Sequence, residues 1–291
     1  RAAATAATTR VGALWLSSRP PPSLASGHAP FLDAVRGHGE GSVRLERDGP
    51  RVRLILDNPR RKNAMSGVMM AQLAEAVDAL GGCGGEGAHA DASVLTLEGS
   101  GGAFCAGADL GLAREVLTTP EMGLAMCDFM TAATAAVMEL PLLSVCVVDG
   151  PAFGGGAELC TAADMRVMSQ RASIRFVQSR MGVSTGWGGA ERLVRLVGRQ
   201  SALLLLGTAR EVPPPEALRL GLAVASGADA EDALQQVLPE LIACPYPGAL
   251  RAIKRAVARA DAPSPEAQLA AREAFGSTGG GGGNRAALGA P

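Results

Sequence analysis

Aromatic side chains are scarce in this 291-residue chain, where six Phe, two Trp and one Tyr amount to 3%. Stacking platforms for single-stranded nucleic acid are therefore not expected, and the core must be built from Leu, Val, Ala and Met. Net charge is scarce too, since 27 basic and 28 acidic side chains leave a formal value of -1. No global field draws the chain to nucleic acid or to an anionic membrane surface, so any anion site must be local. No uninterrupted apolar run reaches the roughly 18 residues that a membrane-spanning helix needs. The six cysteines, at 83, 105, 127, 146, 160 and 244, include no C-x-x-C pair. Several sit in apolar runs, which argues for buried free thiols in a reducing compartment rather than zinc sites or disulfides.

Histidine supplies a further exclusion. His28, His38 and His89 all precede Ser184, so Gly182-Val-Ser-Thr-Gly186 does not read as a nucleophile elbow, whose triad runs Ser, acid, His. Gly82-Cys-Gly-Gly-Glu-Gly87 matches G-x-G-x-x-G but has a helical pattern before it and a strand pattern after it, the reverse of a dinucleotide site. Gly154 to Gly156 lack the Lys-Ser/Thr of a phosphate-binding loop.

What remains is ample apolar content, 47%, and two glycine-rich turns. Gly101-Gly-Ala-Phe-Cys-Ala-Gly-Ala-Asp-Leu110 follows the apolar run 92–98 and opens onto a helix that Asp109 can cap. Gly150-Pro-Ala-Phe-Gly-Gly-Gly-Ala-Glu-Leu159 follows the buried-strand run 142–148. Glycines let backbone approach a ligand closely, and the first amides of a helix have no carbonyl partner within it. Two such ends can aim two N–H groups at one oxygen, as an oxyanion hole requires.

Periodicity predicts strands at 51–57, 92–98, 142–148, 164–168 and 173–177. Helices are predicted at 66–80, from about 109, at about 121–139, at 156–162 and at 188–197. This alternation argues for an α/β fold, with a mainly helical region beyond Gln200 interrupted at Pro213-Pro-Pro215. Residues 1–32 carry Arg1, Arg10 and Arg19 and no acid, the composition of a mitochondrial presequence or of a disordered tail. The chain begins with Arg rather than Met, which leaves its true start open. Gly279 to Gly283 reads as a flexible tail.

Phe104-Cys-Ala-Gly-Ala-Asp-Leu110, followed some forty residues later by Gly150 to Leu159 and Ala163-Asp-Met-Arg166, resembles the crotonase superfamily of enoyl-CoA hydratases and isomerases. The likeness also takes in Asn58-Pro-Arg-Arg-Lys-Asn-Ala-Met-Ser66 and Trp187-Gly-Gly-Ala-Glu-Arg-Leu193, and runs from about Ser42 to about Phe275. It implies repeated ββα units over 42–200, a C-terminal helical trimerisation region over 201–275, and a homotrimer or hexamer. Residues 1–41 are left as a presequence-like or disordered segment and 276–291 as the Gly-rich tail.

The resemblance makes the amides of Ala108 and Gly155 the oxyanion donors and Glu158 a catalytic carboxyl. A carboxylate near a helix N-terminus is also an ordinary stabilising feature. It further places Lys62, Ala64, Ala106 and Asp109 against substrate, together with Leu110, Gln178, Trp187 and Lys254. Arg60-Arg61-Lys62 and the helical stripe of Arg251, Lys254, Arg255 and Arg259 are candidate partners for coenzyme A phosphates, or solvated basic faces.

Counted back from Met181-Gly182, which resembles the family's Leu-Gly step, the resemblance puts Gln178 at the place of a second acid. Hydration needs two groups that exchange protons, and an amide does not do so near neutral pH. Ser66-Gly-Val-Met-Met70, Ile174-Arg-Phe176 and Trp187 resemble the branch of the superfamily that decarboxylates ethylmalonyl-CoA to butyryl-CoA. The resemblance implies weaker action on methylmalonyl-CoA, no cofactor beyond the coenzyme A of the substrate, and a cytosolic location with the mitochondrion as alternative. Isomerisation or hydration of an enoyl-CoA is the alternative activity, and a non-catalytic acyl-CoA- or RNA-binding role is the alternative outside catalysis.

Overall fold

A computed structural model describes residues 23–81, 91–244 and 246–260. The Gly82 to Gly87 motif, the first 22 residues and the Gly-rich tail lie outside them.

The frame is a six-stranded sheet in the order β1-β2-β3-β4-β6-β8. β1 (Ser42–Asp48) is antiparallel to β2 (Arg51–Asp57), and from there β3 (Val94–Gly99), β4 (Leu143–Val148), β6 (Met165–Ser169) and β8 (Ala225–Gly227) are parallel. A parallel sheet is buried on both faces, which explains why its central strands are mainly apolar, as in Val94-Leu-Thr-Leu97 and Val145-Cys-Val-Val148. In β4, Val145 and Val147 point to a small core closed by Ala233, Leu234 and Leu238, while Cys146 and Val148 point to the main core. Period-2 alternation thus divides one apolar strand between two layers.

Helices complete these layers. α3 (Gly67–Gly81) and α5 (Pro120–Glu139) cover the main core, and α9 (Ala230–Gln235) and α10 (Leu238–Ile242) cover the other face. A second, two-stranded sheet pairs β5 (Pro151–Phe153) with β7 (Ser173–Arg175). Bridges from Cys105 to Ala152 and from Ile174 to Val212 extend it. The ββα repeat is visible as β1-β2-α3, as β4-β5 leading into α6 (Gly155–Cys160), and as β6-β7 leading to α7 (Gly189–Thr208). Within α7, Gly198 is non-helical (φ 76°, ψ 160°), so its first segment ends where the sequence predicts, at 197. Pro214 opens α8 (Pro214–Arg219) at a position where its missing N–H costs nothing.

Four features depart from the sequence expectation. β1 and the three-residue β5 and β8 are strands without a recognised period. More consequentially, part of the segment assigned to a tail belongs to the core. α1 (Leu24–Gly27) and α2 (Ala29–Val35) bury Leu24, Phe31, Leu32 and Val35. Asp78 of α3 accepts hydrogen bonds from the Leu24 and Ala25 amides at 2.6 and 3.0 Å, satisfying the start of α1. Phe31 packs on Phe129 of α5 with ring centroids 5.4 Å apart. The core therefore begins by Leu24 rather than Ser42. No described helix is long and apolar enough to cross a membrane.

Phe31→Ala should lower unfolding free energy by about 3–5 kcal/mol, the usual cost of truncating a buried Phe. Urea denaturation checks it. A change below about 0.5 kcal/mol, typical of an exposed site, would return this segment to the status of a tail.

Candidate active site

The first glycine-rich turn is held from two sides. Asn63, buried with φ 55°, donates through Nδ2 to Ser100 and Ala103 carbonyls at 2.8 and 2.9 Å, while its Oδ1 accepts from the Asn58 amide at 2.8 Å. The same loop then pairs with the turn, as Ala106 N–H donates to Lys62 O and Met65 N–H to Gly107 O, at 2.9 and 2.7 Å. On the other side Phe104 N–H donates to Pro151 O at 3.0 Å, and Phe153 N–H to Cys105 O at 2.9 Å. Asp109 Oδ1 accepts from the Gly111 and Leu112 amides at 2.7 and 3.1 Å, capping α4 (Leu110–Glu115) as its sequence position predicts.

The second turn packs directly on the first. Gly154, with φ 53°, leads into α6, and a Cβ on Gly156 would lie 2.0 Å from the Cys105 carbonyl oxygen. A Cβ on Gly107, itself at φ 93°, would lie 2.9 Å from the Gly155 nitrogen. These glycines answer to close approach. A Cβ on Gly155 would meet the Trp187 indole at 2.7 Å, so that ring forms one wall beside the turn. Among the described residues, neither the Ala108 nor the Gly155 amide donates a hydrogen bond.

Glu158 lies one helical turn into α6 and is buried. Its Oε1 accepts from Gln178 Nε2 at 2.6 Å and Gly186 N–H at 3.3 Å; its Oε2 accepts from Trp187 and Gly189 amides, both at 2.8 Å. Burial pushes its pKa above the ordinary carboxyl value, against the Gly189 and Trp187 hydrogen bonds and the charge of Arg192, which favour the ionised form. Arg192 is buried as well, and burial lowers its pKa to about 10, so it stays cationic near neutral pH. Its Nη2 donates to the Glu158 and Trp187 carbonyls at 2.9 and 2.7 Å; Nε and Nη1 reach Thr161 and Thr134 hydroxyls.

These groups border one cavity of about 440 Å³. Ala108, Gly155, Glu158, Gln178 and Trp187 line it, as do Ala64, Ala106, Asp109 and Leu110. A glycine-flanked turn, a helix N-terminus and a buried carboxyl thus meet at one cavity. The Enoyl-CoA hydratase/isomerase family model matches residues 52–278. The chain belongs to that family. It is 42% identical over 184 residues to the Xenopus laevis protein named ethylmalonyl-CoA decarboxylase, covering 63% of this chain and 59% of the relative. It thus spans about 59% of that relative's length. To the Gallus gallus protein of the same name it is 36% identical over 255 residues, covering 85% of this chain and 83% of the relative. A Thermobifida fusca YX structure, of a protein described as an enoyl-CoA hydratase in complex with acetoacetyl-CoA, superposes with a TM-score of 0.65. Identity there is 27%, over 84% of this chain and 94% of that one.

Against this family background two expected substrate contacts fall outside the cavity lining. Lys62 is exposed and caps a short 3-10 turn with φ 50°, and its carbonyl accepts from the Ala106 amide. Lys254, on α11 (Pro247–Ala260), is a correction. Its side chain is 6% exposed, and Nζ binds Asp164 Oδ2 at 2.8 Å and the Leu142 carbonyl at 2.7 Å. It fastens α11 to β4 and is turned away from solvent phosphate. Arg251 likewise turns inward, donating to Ala92 O at 2.9 Å, so only part of the basic stripe is solvated. Arg61 does line the cavity.

Asn63, Thr134 and Arg192 carry no role in the sequence reading, although Asn63 and Arg192 stand inside its quoted motifs. Cys105, Cys127, Cys146 and Cys160 are buried and free, as expected, and burial pushes the Cys105 thiol up to about 12. Ser184 lines the cavity, but it lies between a 3-10 turn and α7 rather than at a strand-to-helix elbow.

Lys254→Met should lower stability by about 1.5–3 kcal/mol, the worth of a hydrogen bond to a charged group, because Asp164 loses its cation. Affinity for coenzyme A should not change. Thermal unfolding and calorimetric titration measure the two, and a large loss of coenzyme A affinity at unchanged stability would restore the phosphate role.

Proposed function

We propose that the protein is a carboxy-lyase that converts ethylmalonyl-CoA to butyryl-CoA and carbon dioxide, with methylmalonyl-CoA as a poorer substrate. The observation that carries this reading is the Gln178 amide 2.6 Å from Glu158, where a hydratase would need a second proton-exchanging group. Asp109 also lines the cavity, but its Oδ1 is engaged by two backbone amides. The names of the Xenopus laevis and Gallus gallus relatives support the same activity.

In this reading the thioester oxygen lies between the Ala108 and Gly155 amides. The bond from the α carbon to the carboxylate breaks, carbon dioxide leaves, and the electron pair enters the thioester carbonyl. The two N–H groups stabilise the enolate; one such donor is worth about 2.7–4 kcal/mol of barrier. Glu158, in its acid form, delivers a solvent-derived proton to the α carbon. Ala64, Ala106, Leu110 and Trp187 shape the acyl and thioester space, and Arg61 meets coenzyme A at the rim. Assembly as a homotrimer or hexamer fits the exposed Leu203 and Leu204 of α7 and Ile253 and Val257 of α11, and sedimentation measures it.

Incubation with ethylmalonyl-CoA should yield carbon dioxide and butyryl-CoA, whereas crotonyl-CoA should be hydrated slowly or not at all. Glu158→Gln should lower turnover and leave it measurable, because bond cleavage depends on the oxyanion donors and water can protonate the enolate. Since burial raises the Glu158 pKa, its acid form persists above the ordinary carboxyl range, and turnover should fall as pH rises through that raised value. Efficient isomerisation of an enoyl-CoA without carbon dioxide release from ethylmalonyl-CoA would replace the lyase by an isomerase.

A further inference from the structure

Gln178 carries an orphaned acceptor. Its Nε2 donates to Glu158, yet its Oε1 is buried and meets no donor among the described residues. The side chain is only 8% exposed and lines the same cavity as Glu158. Buried polar atoms are almost always paired, so an unpaired one at a ligand cavity points to a ligand or to a second orientation.

An ionised Glu158 can only accept, which fixes the amide with Nε2 toward it. A protonated Glu158 gains an O–H donor. A half-turn of the amide, about a torsion with two broad minima, then lets Gln178 Oε1 accept that hydrogen. The same half-turn puts N–H donors where the orphaned acceptor stood. We propose that Gln178 is a positioning residue whose amide turns with the protonation of Glu158, so that the site admits a substrate carboxylate only together with one proton.

The inference rests on the lyase reading and deepens it. With Glu158 ionised, the cavity meets a carboxylate with a lone pair and a second negative charge. With Glu158 protonated, it offers N–H donors and no charge there. Binding and proton uptake are therefore coupled. Arg192 from α7 faces Glu158 by charge, Glu191 acts on Arg192, and Asp109 and Arg61 line the same cavity. The proton comes from solvent. Loss of carbon dioxide leaves an electron pair on the α carbon, whose protonation consumes one proton, so the proton loaded at binding balances the reaction.

The test uses two ligands that do not react. The thioether S-(2-carboxybutyl)-CoA keeps the carboxylate but lacks the carbonyl that decarboxylation needs, and butyryl-CoA lacks the carboxylate. Titration calorimetry in buffers of different ionisation enthalpy, across roughly pH 6 to 9, counts the protons. The thioether should take up about one proton per site over part of that range, with affinity falling about tenfold per pH unit there, and butyryl-CoA should do neither. Gln178→Met should lower the ratio of thioether to butyryl-CoA affinity by about tenfold or more, as loss of a hydrogen bond to a charge predicts. No uptake anywhere in the range, equal uptake with both ligands, or an unchanged ratio in a folded Gln178→Met protein would overturn the inference. Neither ligand turns over, so the outcome is separate from whether ethylmalonyl-CoA releases carbon dioxide.

Discussion

The approach of α6 to the Cys105 carbonyl is the constraint on which the site depends. Residue 156 has no room for a Cβ, which would lie 2.0 Å from that oxygen. Close packing of this kind transmits position without flexible intermediates. The Cys105 backbone is fixed to β5 through Phe153, and the neighbouring Ala106 is fixed to the 58–66 loop through Lys62. The start of α6 therefore inherits its place from two strands of the second sheet and from a buried Asn63. The two free amides, Ala108 and Gly155, are consequences of this clamp.

Opposing influences act on the Glu158 carboxyl. Burial favours its neutral form, and the donors from Gln178, Gly186, Trp187 and Gly189 favour its anion. Either influence alone would fix one state. Arg192 tempers the balance indirectly, because its own donors are engaged by carbonyls and hydroxyls rather than by the carboxylate oxygens. Its geometric work is to hold the Trp187 carbonyl and the end of α6 in register.

What the sequence discloses follows the range of the interactions involved. β2, β3 and β4 are legible because each carries at least three Val, Leu or Ile side chains in a short stretch, and the turns are legible because glycine, Asp109 and Glu158 act within a few positions. β8 is three residues, Ala225-Ser226-Gly227, and becomes a strand only because β6 offers its edge. α1 and α2 look like a tail because each is too short to show a helical period; their order comes from Asp78 and Phe129, partners 54 and 98 positions away from Leu24 and Phe31. Lys254 fails for the same reason. Helical spacing tells that Arg251, Lys254 and Arg255 share a face, not that Asp164 waits opposite that face.

The scarcity of aromatic residues sharpens the meaning of Trp187, one of two tryptophans in the chain. Its indole fills the space that any side chain on Gly155 would need. Its amide donates to Glu158, and its carbonyl accepts from Arg192 and Thr134. One residue thus touches the Gly155 turn through its ring, the Glu158 carboxyl through its N–H and the buried Arg192 through its carbonyl. Gly188, at φ 74°, turns the chain just after it so that the Gly189 amide returns to the same carboxylate. A shift of the 186–189 loop must then alter electrostatics and shape together. The loop that walls the cavity beside Gly155 also supplies the N–H groups that oppose burial in the proton affinity of Glu158.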